Sequence, residues 1–195
     1  MTSNLMFDLG GVIMDIDRDR CVRAFQNLGM TDADSFFDAY RQRGPFLQLE
    51  SGELDPDAFR REIRKLIPEE VTDGQIDAAL CEFLIGIPSH RLDTLRRLRA
   101  DGHKVWLLSN TNPIMWHRFI LPEFTKQGLD INAYFDGTVT SFEAGMCKPD
   151  SAIYLYALNK FGISAEETTF FDDGAANIAA AEALGIKGVL TNGLN

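Results

Sequence analysis

The chain has 195 residues, 45% hydrophobic and 25% charged, and its 19 basic against 29 acidic side chains leave a formal net charge of −10. That length suits one domain, or one domain carrying a large insertion, with material for a sizeable core. The acidic balance argues against nucleic acid and anionic membrane surfaces as partners, no apolar run is long enough to span a bilayer, and Asp8 interrupts the stretch a signal peptide would need.

Residues 4–8 (NLMFD) form a short apolar run that ends in an acid and is followed by Gly10-Gly11, which predicts a buried strand delivering Asp8 to a tight turn. Residues 18–87 break the pattern with four stretches of helical periodicity. These are carried by Cys21, Val22, Phe25 and Leu28, by Phe36, Phe37 and Tyr40, by Phe59, Ile63, Leu66 and Ile67, and by Ile76, Leu80, Phe83 and Leu84. Turns are expected at Gly29, Gly44-Pro45 and Ser51-Gly52, and no strand is expected in this stretch. Asp55 followed by Pro56 has the form of an N-cap and first helical residue.

Beyond it, helices are predicted over 89–100, 150–161 and 175–184, and strands over 104–110 (KVWLLSN) and 168–173 (TTFFDD). Strands alternating with helices imply an α/β protein with a doubly wound parallel sheet. The expected core comprises residues 1–17 and 88–195, split by a four-helix-bundle insertion at 18–87. In such sheets ligands bind beyond the carboxyl ends of the strands. The three cysteines follow neither a disulfide nor a zinc pattern, which fits a cytoplasmic protein, monomer or homodimer.

Four polar groups converge on that edge. Asp8, Ser109-Asn110 and Asp172-Asp173 end predicted strands, and Lys148 precedes a helix. Each alone has an ordinary reading as a cap, a turn former or a surface charge. Together they are what phosphoryl transfer to a carboxylate requires. Asp8 can attack phosphorus, a hydroxyl and an amide can donate to the phosphoryl oxygens, and a lysine can stabilise developing charge. Asp8, one or both of Asp172 and Asp173, and a carbonyl of the glycine turn are hard oxygen donors that suit Mg²⁺, without which the carboxylates would repel a phosphate.

The segments FDLGGV (7–12), LLSNTN (107–112), CKPD (147–150) and FFDDGAAN (170–177) resemble, in order, the four motifs of the haloacid dehalogenase superfamily, in the branch with a helical cap after the first strand. Together with MDID (14–17), they are most similar to the bacterial subgroup that includes α-D-glucose-1-phosphate phosphatases. The resemblance implies a Rossmann-like core with Asp8 as nucleophile. It also implies that Ser109 and Asn110 bind the phosphoryl group and that Lys148 positions it. Asp173 and the Gly10 carbonyl would join Asp8 on Mg²⁺, with Asp172 ligating directly or through water. The implied activity is Mg²⁺-dependent hydrolysis of a small phosphorylated metabolite, such as a sugar 1-phosphate, through an aspartyl-phosphate. Alternatives are a metal-independent dehalogenase-type hydrolase and a non-catalytic phosphate-binding protein.

One departure matters. Most phosphatases of this superfamily carry a second Asp two residues after the nucleophile as general acid and base, and here that position is Gly10. General acid–base catalysis is worth about 10² to 10⁴-fold, so its loss favours esters with good leaving groups. Asp15 and Asp17 are candidate substitutes, against a role in capping the first cap helix or pairing with a nearby arginine. Arg18, Arg20, Arg41, Arg43 and Gln48 are candidate substrate contacts from the cap.

Overall fold

The computed structural model describes residues 4–37, 43–68 and 70–194. Its first half runs β1 (Asn4–Phe7), β2 (Asp15–Ile16), α1 (Arg18–Asn27), α2 (Pro45–Glu50), α3 (Pro56–Ile63), α4 (Asp73–Cys81), β3 (Leu84–Gly86), α5 (Ser89–Ala100) and β4 (Lys104–Ser109). Then come α6 (Pro113–Met115), a π-helical turn (Trp116–Ile120), α7 (Leu121–Thr125), β5 (Gly137–Thr140), α8 (Ser141–Ala144), α9 (Ser151–Phe161), β6 (Thr168–Asp172), α10 (Ala175–Glu182) and β7 (Lys187–Leu190).

Five strands form one parallel sheet in the order β5-β4-β1-β6-β7. Adjacent residues of a strand face opposite sides. Met6, Leu108 and Phe170 thus enter one buried cluster with Tyr154 of α9, while Phe7 and Leu107 enter the cluster on the other face. Phe7 pairs in register with Leu107 on one side and Phe171 on the other. The chain leaves β1 for β4 and later returns to β6 across it, so the carboxyl end of β1 is a topological switch point. Asp8, Ser109 and Asp172 all stand at that end. The doubly wound α/β architecture expected from the sequence is thus present.

Between β2 and β3 the chain makes α1 to α4. Asp17 caps α1 by accepting from the backbone N–H groups of Asp19 and Arg20, Asp55 caps α3 by accepting from that of Ala58, and Thr72 and Gln75 form a capping box on α4. Phe46 of α2 meets Phe25, Phe37 and Phe59 with ring centroids 5.2, 4.4 and 5.3 Å apart. These rings belong to the same apolar cluster as Phe7 and Leu107, so the insertion is packed continuously onto one face of the sheet.

Two expectations here are corrected. At the second helical stretch Ala33–Phe36 is a single 3-10 turn and Tyr40 lies outside the described residues, while a helix, α2, begins at Pro45 where the sequence reads as a turn. Gly44, with φ +54, turns the chain, and Pro45 then occupies the first turn of a helix rather than ending one. The insertion is also entered and left through strands: β2 and β3 pair antiparallel, with a register irregularity at Asp15/Ile16. Two- and three-residue strands are too short to show a period. Among the described residues, no helix is long and apolar enough to cross a membrane.

Candidate active site

Asp8 continues β1 beyond its last pair. Its N–H donates to the Phe171 carbonyl at 2.8 Å, which holds the backbone on the ladder while the side chain leaves the sheet edge. The next residues close tightly: Ile13 and Met14 N–H both donate to the Leu9 carbonyl at 2.8 Å, and Gly11 N–H donates to the Met14 carbonyl at 2.9 Å. Gly11 has φ +72, and a Cβ there would lie 2.2 Å from Asp173 Oδ2. Glycine is therefore required both by the backbone and by the carboxylate pressed against it.

Lys148 lies at the centre, 3% exposed. Its Nζ stands 2.7 Å from Asp8 Oδ1 and 2.6 Å from Asp172 Oδ2. Asp8 Oδ1 also accepts from Leu9 N–H at 2.7 Å. Asp172 is fully buried, and its other oxygen accepts from Gly174 N–H at 2.7 Å and Asn177 Nδ2 at 2.9 Å. Both Asp172 oxygens are thus engaged by protein donors. Asp8, Asp172 and Asp173 each offer an oxygen within 4.8 Å of the other two.

One lysine pairs with Asp8 and Asp172, and Asp173 stands beside them without a lysine of its own. Burial pushes the Asp8 carboxyl up to about 7, with Lys148 pulling it down and Asp172 adding to the rise. Burial and then Asp172 also raise Asp173. Burial disfavours the Lys148 charge, but Asp8 and Asp172 outweigh it and lift its pKa above the ordinary lysine range. A hard divalent cation would relieve this excess of negative charge, and the all-oxygen donor set fits one of the Mg²⁺ type.

Ser109 ends β4, 1% exposed, facing the same edge. Asn110 is placed differently from the expected phosphate contact. Its Oδ1 accepts from Lys148 N–H at 2.8 Å and its Nδ2 donates to the Lys148 carbonyl at 3.0 Å, so the side chain clamps the lysine's backbone. Asp15 and Asp17 do not reach the site as free carboxylates. Asp15 pairs with Arg91 at 2.8 Å, and Asp17 caps α1. Arg18 and Arg20 are likewise spent inside the insertion, on Asp34 and the Phe37 carbonyl and on Glu82 respectively. Arg43 is exposed, Gln48 does not line the cavity described next, and Arg41 lies outside the described residues.

A cavity of about 50 Å³ separates the sheet edge from the insertion, lined on the edge by Gly10, Ser109 and Asn110. Its far wall is largely apolar, with Phe37, Phe46, Phe83 and Leu84 prominent, and among the described residues it holds one acid, Glu50 of α2. Burial pushes the Glu50 carboxyl up to about 8, with Asp8 adding to the rise and Lys148 opposing it. Thr111, 3% exposed, also lines the cavity, and its Oγ1 is buried without a hydrogen-bond partner. Sequence reasoning missed both residues. Thr111 follows the Ser109-Asn110 pair and could have been taken with it, whereas Glu50 sits on the helix that periodicity did not locate.

Residues 3–185 match the model of the haloacid dehalogenase-like hydrolase family. The chain is 39% identical over 187 residues to a D-ribitol-5-phosphate phosphatase of Bacteroides thetaiotaomicron, covering 96% of this chain and 90% of that one. Among solved structures, it is similar to a HAD family enzyme from the same organism in complex with magnesium and inorganic phosphate. The TM-score is 0.92 at 37% identity, over 100% of this chain and 97% of the other. A HAD-like hydrolase from Porphyromonas gingivalis superposes with a TM-score of 0.90 at 37% identity, over 100% and 94% of the two chains.

Proposed function

Because the chain belongs to the haloacid dehalogenase-like hydrolase family, we propose that it is a Mg²⁺-dependent phosphatase acting on a small phosphorylated sugar or polyol through an aspartyl-phosphate at Asp8. The observation that carries this reading is the buried Asp8–Lys148–Asp172 cluster with Asp173 at the carboxyl edge of the sheet. The likeness to a ribitol-5-phosphate phosphatase and to a magnesium and phosphate complex supports it. A sugar 1-phosphate remains within this substrate class.

In this reading the domain organisation is functional as well. Residues 1–17 and 88–195 form the catalytic core, and the helical insertion at 18–87 is a cap over it. Asp8 Oδ2 attacks phosphorus while Oδ1 stays held by Leu9 N–H and Lys148. Ser109 and Lys148 bind the phosphoryl oxygens, and Asn110 serves by fixing Lys148 at both its backbone groups. Asp8, Asp173 and the Gly10 carbonyl, with Asp172 directly or through water, would hold Mg²⁺, which would neutralise charge between nucleophile and phosphate. Asp172 orients Lys148 through its own bonds to Gly174 and Asn177.

The leaving group must occupy the cavity between edge and cap. About 50 Å³ is far below the roughly 300 Å³ at which ligand pockets begin, so the cap shifts outward to admit substrate and closes for transfer. Closure brings the apolar wall over the nucleophile and excludes water from the first step.

The dehalogenase alternative has Asp8 attacking carbon without a metal. It leaves Asp172 and Asp173 as two acids beside the nucleophile with one lysine among them, an arrangement that opposes the binding of an anionic haloacid. A panel of sugar, polyol and nucleoside phosphates, assayed for released phosphate with and without Mg²⁺, tests the reading. Release that requires Mg²⁺ and disappears on chelation is expected. Activity toward haloacids that survives chelation overturns it.

A further inference from the structure

Transfer to Asp8 leaves an unsolved proton. A sugar or polyol departs as an alkoxide unless it is protonated, and Gly10 offers no donor where superfamily members commonly place one. Asp15 and Asp17 are occupied, by Arg91 and by the α1 N-terminus. Among the described residues, the cavity beside the nucleophile is lined by one acid.

That acid is Glu50. It is the last residue of α2, whose buried Phe46 and Leu49 seat the helix in the aromatic cluster of the insertion. Two residues later the chain is pressed against the core. Gly52 has φ +74, and a Cβ there would lie 2.4 Å from the Phe142 carbonyl oxygen on α8. The end of α2 is therefore held between cap and core rather than swinging free. Glu50 shares its cavity with Gly10, Ser109 and Asn110 and is near enough to sense the charges of Asp8 and Lys148. Among the described residues its side chain makes no hydrogen bond or ion pair, unlike those of Asp15, Asp17, Asp34, Asp77 and Glu82. Half-buried and lining the cavity, the carboxyl is available to a group that enters there.

We propose that Glu50 is the proton donor to the leaving group and the proton acceptor in hydrolysis, doing from the cap what Gly10 cannot do from the core. In the first step Asp8 Oδ2 forms a bond to phosphorus, the ester P–O bond breaks, and the Glu50 proton passes to the departing oxygen. In the second, water attacks the phosphorus of the aspartyl-phosphate and the Glu50 carboxylate takes the water proton. The P–O bond to Asp8 breaks, and Asp8 and protonated Glu50 are regenerated. The apolar wall keeps Glu50 protonated at neutral pH before the first step. Because Glu50 lies on the cap, the donor arrives only when the cap is closed.

This inference rests on the phosphatase reading, and the test separates the two. Glu50→Gln keeps the shape of the side chain and removes the proton. With Mg²⁺ present, kcat/KM is measured for an aryl phosphate, p-nitrophenyl phosphate, whose phenolate leaves unaided, and for an alkyl phosphate that the wild-type enzyme turns over, with D-ribitol 5-phosphate tried first. The expected result is a loss of about 100-fold or more on the alkyl ester and less than about threefold on the aryl ester. The retained aryl activity also shows that the variant folds. In the wild type, kcat/KM across a series of esters should vary little with leaving-group pKa. Equal losses on both esters, no loss on either, or a steep wild-type dependence overturns the role of Glu50 and leaves the phosphatase reading intact. A wild-type enzyme that releases phosphate from no ester overturns that reading and this inference with it.

Discussion

At the carboxyl edge of the sheet one buried lysine, Lys148, serves Asp8 and Asp172 directly, with Asp173 beside them. At the joint between the insertion and the core the proportions are reversed. One buried carboxylate, Asp77 of α4, is held by Arg60 of α3 and by Arg118 of the π-helical turn. Both clusters bury a carboxylate to 1% exposure or less. The Asp77 cluster is electrically closed, with Arg60 and Arg118 balancing Asp77 and Asp57 and with Arg118 half in solvent. The Lys148 cluster is open and short of positive charge, and burial, with Asp172 adding to it, raises the carboxyls of Asp8 and Asp173. The closed cluster joins parts of the fold. The open one is left to be completed by a cation and a substrate.

If that contrast holds, substitutions in the open cluster change chemistry and those in the closed one change stability. Asp8→Asn should lower kcat for phosphate release by about 10⁴-fold or more while the urea midpoint stays near that of the wild type. Undiminished turnover would remove Asp8 as nucleophile. Gly11→Ala places a methyl group against Asp173 and forces a non-glycine residue to positive φ. It should weaken Mg²⁺, titrated by activity or by the metal-induced rise in Tm, by about 10 to 100-fold. An unaltered Mg²⁺ midpoint would detach Asp173 from the metal.

Asp77→Ala leaves Arg60 and Arg118 without their shared partner. Breaking a buried pair costs about 3 to 5 kcal/mol, discounted here to about 2 kcal/mol because Arg118 is half exposed. Urea denaturation should show that loss, and kcat/KM should remain within about twofold. A large fall in activity without a fall in stability would erase the distinction between the two clusters. The smallest effect is expected from Asp17→Ala, about 1 kcal/mol for a lost N-cap, again with kcat/KM nearly unchanged. A selective loss of activity there would return Asp17 to the catalytic candidates.

Much of the open cluster could be read along the chain, and the physical reason is local. A buried parallel strand is a short apolar run, and where it leaves the core it must change to polar residues. Asp8, Ser109 and Asp172 therefore announce themselves by position. β5 and β7, of four residues each and flanked by irregular segments, carry no such contrast and were not predicted. The insertion was readable as helical but not helix by helix. Gly44-Pro45 is compatible with a turn and with a helix start, and only the packing of Phe46 against Phe25, Phe37 and Phe59 selects the second. Glu50 went unseen with that helix. The fate of Asp15 depended on Arg91, distant in sequence and brought beside it by the fold.

By itself the sequence determined the α/β architecture, the identity of the reacting edge and the demand for a cation, because strand periodicity, residue type and formal charge are local properties. Only the tertiary structure decided which carboxylates are spent and which are available. Asp15 and Asp17 are bound to structural partners, the Asn110 side chain is turned to Lys148, and the Glu50 carboxyl, among the described residues, is left without a partner in the cavity. Hydrogen bonds and ion pairs between distant segments make that choice, and no pattern along a single chain records them.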